Sequence, residues 1–239
     1  MRKKLIAIVP AAGLGKRFDL LRKKTFVSIH GVPLLVYTLK RLDGEKTVTE
    51  IIPALRQDDM EQGYAMVREH NLNKIKRFSR GGRERQDSIY NALNLIEEDG
   101  TEAYKNCDVL IHDGVRPWFP EGLIEQLSDA IQDVEGVIPG IPLIDTIKET
   151  DAGGIVVSTL NREKVRAVQT PQFFPFRVIK EAYDRAYQDG FYATDDAALV
   201  ERNGGRIRII AGSPLNIKVT VPEDLEVMAH MLNKERQSL

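Results

Sequence analysis

LIAIVPAAGLGKR, residues 5–17, joins a short apolar run to a loop of small residues that ends in two cations. Leu5–Val9 is continuously apolar, as a strand covered on both faces must be. In parallel sheets ligands collect at the carboxyl ends of strands, so the loop that follows lies where a ligand would sit. Ala11, Ala12, Gly13 and Gly15 are small enough for backbone N–H groups to approach an anion, and Lys16 and Arg17 add charge. The loop lacks the closing Gly-Lys-Ser/Thr of a P-loop. It also lacks the third glycine of a dinucleotide fingerprint, where Phe18 stands. A Gly-x-Gly segment fits a plain tight turn as well as an anion cradle, and the Lys16-Arg17 pair favours a triphosphate.

Outward from this strand, apolar runs alternate with amphipathic segments of helix length. Helices are expected over Pro33–Leu42, Asp58–Glu69, Arg83–Ile96 and Pro120–Ile131. Strands are expected over Val48–Leu55, Lys74–Phe78, Asp108–His112 and Gly136–Pro139. This order predicts an α/β fold with a mainly parallel, twisted sheet and helices on both faces. Near Pro142 the pattern changes. Thr146–Thr150 and Ile155–Leu160 flank Asp151-Ala-Gly-Gly154, a turn sequence, with no helix between them. They read as a β-hairpin projecting from the body. Helices over Pro175–Gln188 and Thr194–Asn203 follow, then strands at Ile207–Ala211 and Asn216–Val219, and a last helix opening at Pro222. No repeat or linker divides the chain, so residues 1–239 read as a single domain.

The bulk composition excludes several classes. With 34 Lys and Arg against 35 Asp and Glu, the net charge of −1 does not suit a general nucleic-acid binder. No apolar run approaches the ~18 residues of a membrane helix. The single cysteine, Cys107, allows no intrachain disulfide and fits a reducing, cytoplasmic setting. The opening MRKKLIAIVPAA looks like a leader only superficially, because Leu5–Val9 is too short for its apolar core.

Other segments carry chemistry. Arg22-Lys-Lys24 is either a solvated basic loop or, through Lys24, a contact for phosphates at the first loop. Gly81-Gly-Arg-Glu-Arg-Gln-Asp-Ser88 is either a turn entering a helix or the rim of a nucleobase site, with Gly82 and Ser88 at its edge. Asp113, in His112-Asp-Gly-Val-Arg-Pro117, emerges at a strand's carboxyl end. There it suits a Mg²⁺ ion that also holds phosphate oxygens. Arg116 is placed to pair with Asp113 or with a substrate. Lys218, in Asn216-Ile-Lys-Val-Thr220, is costly to bury without an anion, although a lysine guarding a sheet edge is the rival reading. The four histidines show no zinc spacing.

Taken in order, AAGLGKR (11–17), Lys24, GGRERQDS (81–88), HDGVRP (112–117), PLIDTIK (142–148), TPQFF (170–174), ATDDAALVE (193–201) and NIKVTVPEDL (216–225) resemble the 2-C-methyl-D-erythritol 4-phosphate cytidylyltransferases of the non-mevalonate isoprenoid pathway. The resemblance covers nearly the whole chain. It implies a Rossmann-like nucleotidyltransferase that joins CMP from CTP to methylerythritol phosphate, with Mg²⁺. It also implies a homodimer built through a β-arm, here about residues 142–168. It assigns Gly15, Lys16 and Arg17 to the triphosphate and Lys24 and Lys218 to catalysis. Gly82 and Ser88 fall to cytosine, Asp113 to the metal side, and Arg116 beside it. Thr146, Arg162, Thr170 and Thr194 fall to the sugar-phosphate side, with Arg162 and Thr170 on or beside the arm and so available to the partner's site. The chain departs from the family pattern at Lys23-Lys24-Thr25, at Gly114-Val115, and at Leu215, where many members carry an acidic residue.

The expected reaction is in-line attack of a substrate phosphate oxygen on the α-phosphorus of CTP, with Arg17, Lys24 and Lys218 neutralising the crowded charge. The rivals are a ribitol 5-phosphate cytidylyltransferase, a silent nucleotide-binding module on the same fold, and a sugar nucleotidyltransferase that uses another base.

Overall fold

A computed structural model of the chain describes residues 3–13, 26–102 and 106–237. Gly15, Lys16, Arg17 and Lys24, expected at the triphosphate, lie outside the described residues. The elements in chain order begin with β1 (Leu5–Pro10), β2 (Ser28–Ile29), β3 (Val32–Pro33), α1 (Leu34–Gly44), β4 (Glu50–Leu55), α2 (Met60–Glu69), β5 (Ser79–Arg80) and α3 (Arg85–Glu98). They continue with β6 (Asp108–Ile111), α4 (Leu123–Asp129), β7 (Gly136–Pro142), β8 (Lys148–Thr150), β9 (Val156–Thr159), β10 (Arg166–Val168) and β11 (Gln172–Pro175). The last are α5 (Phe176–Gln188), α6 (Asp196–Arg202), β12 (Ile207–Ala211) and α7 (Pro222–Gln237).

The eight-stranded main sheet has the order β10–β7–β11–β6–β1–β4–β5, with β12 paired to β7. Strand β1 lies at its centre, parallel to both β4 and β6. Its alternation explains the unbroken apolar run. Leu5, Ala7 and Val9 pack with Leu35 and Leu39 of α1, Met66 of α2 and Leu127 of α4. Ile6 and Ile8 turn to the opposite face, against Ile89 and Leu93 of α3, Ile179 of α5 and Val200 of α6. The expected α/β layering with helices on both faces is therefore present.

Three features of the sheet differ from the reading above. β11 runs antiparallel between β6 and β7, and β10 also pairs antiparallel with β7. Residues 216–219 form no strand. Asn216 is buried, and its carbonyl accepts from Arg116 Nη1 (2.6 Å) and Gln169 Nε2 (3.3 Å) rather than from a neighbouring strand. Val219 N–H donates to the Val115 carbonyl (3.0 Å), and the Val219 side chain packs with Met228 and Leu232 of α7. The polar–apolar alternation there thus reflects a loop pinned on both sides. At 74–78 only Ile75 bridges to Ile51, and the strand itself comes one residue after Phe78.

The hairpin is present as β8 and β9, paired antiparallel. Asp151 Oδ1 closes its turn by accepting from Gly153 and Ile155 N–H, both at 2.9 Å. It leaves Ile155, Val156 and Val157 exposed, with Ile144 nearby 84% exposed.

The path of the chain sets the ligand position. From β1 it moves to β4 and β5 on one side, then to β6 on the other side of β1 and on to β7, with β11 later filling the place between β6 and β7. A crevice opens beyond the carboxyl ends of strands at such a switch point, here between the loops after β1 and β6.

Candidate active site

Three of the loops at this crevice are Ala11–Gly13 after β1, Gly81–Glu84 after β5, and His112–Arg116 after β6; Arg56, Gln57 and Asp58 after β4 also line it. Gly114 lets the first and third meet. A Cβ on it would stand 3.2 Å from the Pro10 carbonyl and 3.0 Å from the Leu35 side chain. The second loop is shaped by a reciprocal cap at the start of α3. Glu84 and Asp87 each accept the other's backbone N–H. Ser88 Oγ accepts from Gly82 N–H (3.0 Å) and donates to the Glu84 carbonyl (3.2 Å), so it holds the loop's shape from within.

A cavity of about 840 Å³ opens here, lined by residues that include Ala11, Ala12, Gly13, Gly82, Ser88, Asp113 and Lys218. A smaller one, of about 260 Å³, adjoins it. Arg116, Thr170, Thr194 and Asp195 line this second space. Arg85, Asp113 and Lys218 line both, so the two spaces meet at these side chains.

Asp113 is the electrostatic centre. It is buried, and its Oδ1 accepts from Arg85 Nε at 2.9 Å. Its Oδ2 lies 2.8 Å from Lys218 Nζ and 3.6 Å from Arg116 Nε. Burial alone would raise the carboxyl pKa, but Arg85, Lys218 and Arg116 hold it well below the usual carboxylate range. Lys218 is 43% exposed and is the most open of these cations. Arg116 is buried, and burial lowers its pKa against the pull of Asp113. With Nη1 on the Asn216 carbonyl, it ties the 216–218 segment to this centre.

Below Asp113 lies a neutral relay. The Arg116 carbonyl can only accept, so His112 Nε2 carries the ring proton toward it (2.9 Å). His112 Nδ1 then accepts from Thr170 Oγ1 (3.0 Å), and Thr170 Oγ1 accepts from Asp113 N–H (3.1 Å). Burial pushes the His112 pKa down to about 4, which keeps the ring neutral near pH 7.

Ala11, Ala12, Gly13, Gly82, Ser88, Asp113 and Lys218 are therefore assembled in one cavity, and Arg116, Thr170 and Thr194 in the space beside it. Thr170 lines the smaller cavity of its own chain. Thr146 and Arg162 line neither space. Both are exposed at the arm, where Arg162 Nη1 donates to the Ile144 carbonyl. Leu215 is half exposed and also lines neither. Sequence reasoning missed Arg85 and Asp196, although both sit inside quoted segments. Arg85 Nη1 and Nη2 grip Asp196 at 2.9 and 2.7 Å, and Tyr183 donates to the same carboxylate at 2.5 Å. The available signal was the second arginine of GGRERQDS, the first residue of a helix whose start the Glu84–Asp87 cap defines.

Among the described residues no group of three or more His, Cys, Asp and Glu side chains could hold a metal ion. Asp113 fits Mg²⁺ in a sparer way. A carboxylate has about four acceptor positions, and the hydrogen-bonded contacts from Arg85 and Lys218 leave room. Mg²⁺ commonly takes one or two carboxylates with phosphate oxygens and water. No helix among the described residues is long and apolar enough to cross a membrane.

A model of the 2-C-methyl-D-erythritol 4-phosphate cytidylyltransferase family matches residues 5–234. The 2-C-methyl-D-erythritol 4-phosphate cytidylyltransferase of Syntrophus aciditrophicus (strain SB) is 40% identical over 240 residues, covering 98% of each chain. Its counterpart from Bacillus mycoides (strain KBAB4) is 38% identical over 230 residues, covering 96% of this chain and 98% of its own. Among solved structures, the 4-diphosphocytidyl-2C-methyl-D-erythritol synthase of Anaerococcus prevotii DSM 20548 matches with a TM-score of 0.82 at 29% identity, over 97% of this chain and 96% of that one.

Proposed function

Since the chain belongs to the 2-C-methyl-D-erythritol 4-phosphate cytidylyltransferase family and transfers CMP from CTP to 2-C-methyl-D-erythritol 4-phosphate with release of pyrophosphate, we propose that this transfer occurs where its two cavities meet, at Asp113 and Lys218. The observation that carries the proposal is that these side chains line both spaces. CTP occupies the larger one. Its base lies toward Gly82 and the loop that Ser88 shapes, and its triphosphate along Ala11–Gly13 and onward to Gly15, Lys16 and Arg17. The polyol phosphate occupies the smaller one, beside Arg116, Thr170 and Thr194.

A phosphate oxygen of the polyol phosphate attacks the α-phosphorus of CTP in line. The new P–O bond forms as the bond to the β-phosphate oxygen breaks, and pyrophosphate leaves with that electron pair. The nucleophile is already ionised, so no general base is required. The chief obstacle is the approach of two anions, which preorganised cations relieve. Lys218, paired with Asp113 yet open to both cavities, is placed to neutralise the transferring phosphoryl group. Arg17 and Lys24 take the same role on the triphosphate side. Asp113 would hold Mg²⁺, which would supply further charge stabilisation when bound. Replacing Lys218 by Ala is expected to lower turnover by about 10²–10³-fold, the range for removal of one preorganised electrostatic donor. Pyrophosphate release from CTP and methylerythritol phosphate measures this, and undiminished turnover refutes the role.

The β-arm, about residues 142–168, pairs with a second copy in this reading. Support comes from the solvent exposure of Ile144, Ile155, Val156, Val157 and Leu160, an apolar set that gains from being covered. Thr146 and Arg162, which line neither cavity of their own chain, would then face the partner's substrate. The single buried thiol of Cys107 is in keeping with a cytoplasmic enzyme.

A further inference from the structure

We propose that Arg85 is a positioning residue: gripped by Asp196, it sets the orientation of Asp113 and, through Asp113, the place of Lys218 at the junction of the cavities. The inference rests on the reading of Asp113 and Lys218 as the transfer site.

A long, flexible arginine cannot orient anything unless it is itself held. Here it is held at both ends. Arg85 is the first residue of α3, whose start is locked by the Glu84–Asp87 cap. Its fork closes on both oxygens of Asp196, at 2.9 and 2.7 Å. That carboxylate is fully buried at the start of α6 and is held in turn by the hydroxyl of Tyr183, itself buried. The guanidinium is planar, so fixing Nη1 and Nη2 also fixes the direction of Nε–H. That direction meets Asp113 Oδ1 at 2.9 Å. A carboxylate anchored through Oδ1 can turn only Oδ2 outward, and Oδ2 is the oxygen 2.8 Å from Lys218 Nζ. The row Tyr183–Asp196–Arg85–Asp113–Lys218 therefore runs from the helical layer to the junction of the two cavities. A lysine at 85 would bring the charge but not the fork, and could not serve both carboxylates in fixed directions.

The competing account is that Arg85 merely fastens α3 to α6. Both accounts predict that losing Arg85 alone harms the fold, because Asp196 would be left buried without its cation. The test therefore removes both charges together. In Arg85→Gln/Asp196→Asn no buried charge is orphaned, and the Tyr183 hydroxyl keeps an acceptor. Steady-state pyrophosphate release with CTP, methylerythritol phosphate and Mg²⁺ is measured for this pair, for Asp113→Asn, for the triple variant and for Arg85→Lys. The pair variant is expected to lose about 10–100-fold in kcat, as when a carboxylate's supporting partner is removed, with KM for CTP nearly unchanged. Added to Asp113→Asn, the same pair should cost less than about twofold more, because the loss runs through a group already removed. Arg85→Lys should fall with the pair variant, and it carries the same comparison if the pair variant fails to fold.

A kcat near wild type in the pair variant overturns the inference and leaves the transfer site standing. An equal fold-loss with and without Asp113→Asn overturns it in favour of simple fastening. Wild-type turnover in Asp113→Asn overturns the site assignment itself, and this inference with it.

Discussion

Replacing Asp113 by Asn tests the charge balance at the junction, and its cost can be worked contact by contact. The carboxylate accepts from Arg85 at 2.9 Å and lies 2.8 Å from Lys218 and 3.6 Å from Arg116. Asn keeps an acceptor oxygen for Arg85, so that contact falls from a charge-assisted bond to a neutral one, a loss of about 1 kcal/mol. Lys218 is 43% exposed, so its pair is screened and counts for only about 0.2–1 kcal/mol. Arg116 keeps its bond to the Asn216 carbonyl but loses its nearby counter-charge while buried. This adds about another 1 kcal/mol by the same reasoning for charged groups. The sum is about 2–3 kcal/mol. It falls below the 3–5 kcal/mol of a fully buried broken pair because Arg85 still holds Asp196. For a chain of this size that corresponds to a fall in Tm of roughly 4–12 °C. Urea titration and thermal unfolding at pH 7, on the variant without substrates, measure it. A variant as stable as wild type would refute the claim that Asp113 holds these cations together.

Three further outcomes are expected. Gly82→Ala would set a Cβ 2.1 Å from the Asp87 Cβ, which must displace the capped loop; the KM for CTP should rise about tenfold or more, consistent with 1–3 kcal/mol of overpacking, and a CTP titration reads it. Val157→Asp places a charge in the exposed apolar set of the arm, and light scattering should show the loss of a dimer while far-UV circular dichroism stays native. The Cys107 thiol is buried and its pKa is pushed up to about 12, first by burial and then by Asp108. Thiolate is the reactive form and remains scarce until pH nears that value, so a thiol reagent at pH 8 should label Cys107 only when the chain is unfolded.

The central layers were legible because their pattern is set by burial alone. An unbroken apolar run such as Leu5–Val9 has one comfortable place, between two helical layers, and there Ala7 and Ile8 turn to opposite faces. β11 escaped because Pro171 and Pro175 frame it, and prolines argue against a central strand even when, as here, one of them only closes its end. The 216–219 segment misled for the opposite reason. Its alternation looks like a strand, but what satisfies the Asn216 carbonyl is a pair of side chains from residues 116 and 169, and no local pattern encodes a partner so far away.

The same limit explains the site. Asp113 and Lys218 were found because a carboxylate at a strand end and a lysine amid apolar neighbours are each unusual in their own surroundings. Arg85 and Asp196 are ordinary in theirs. An arginine among charged residues at a helix start and an aspartate in a helix's first turn both have a bland local explanation. Their meaning appears only when residues 111 apart in sequence close into one bidentate pair. The groups proposed for the transfer site thus announce themselves locally, whereas those proposed to aim them must be read from the folded chain. This is why the pair variant, rather than another substitution at Asp113 or Lys218, is the sharper probe of how the junction is built.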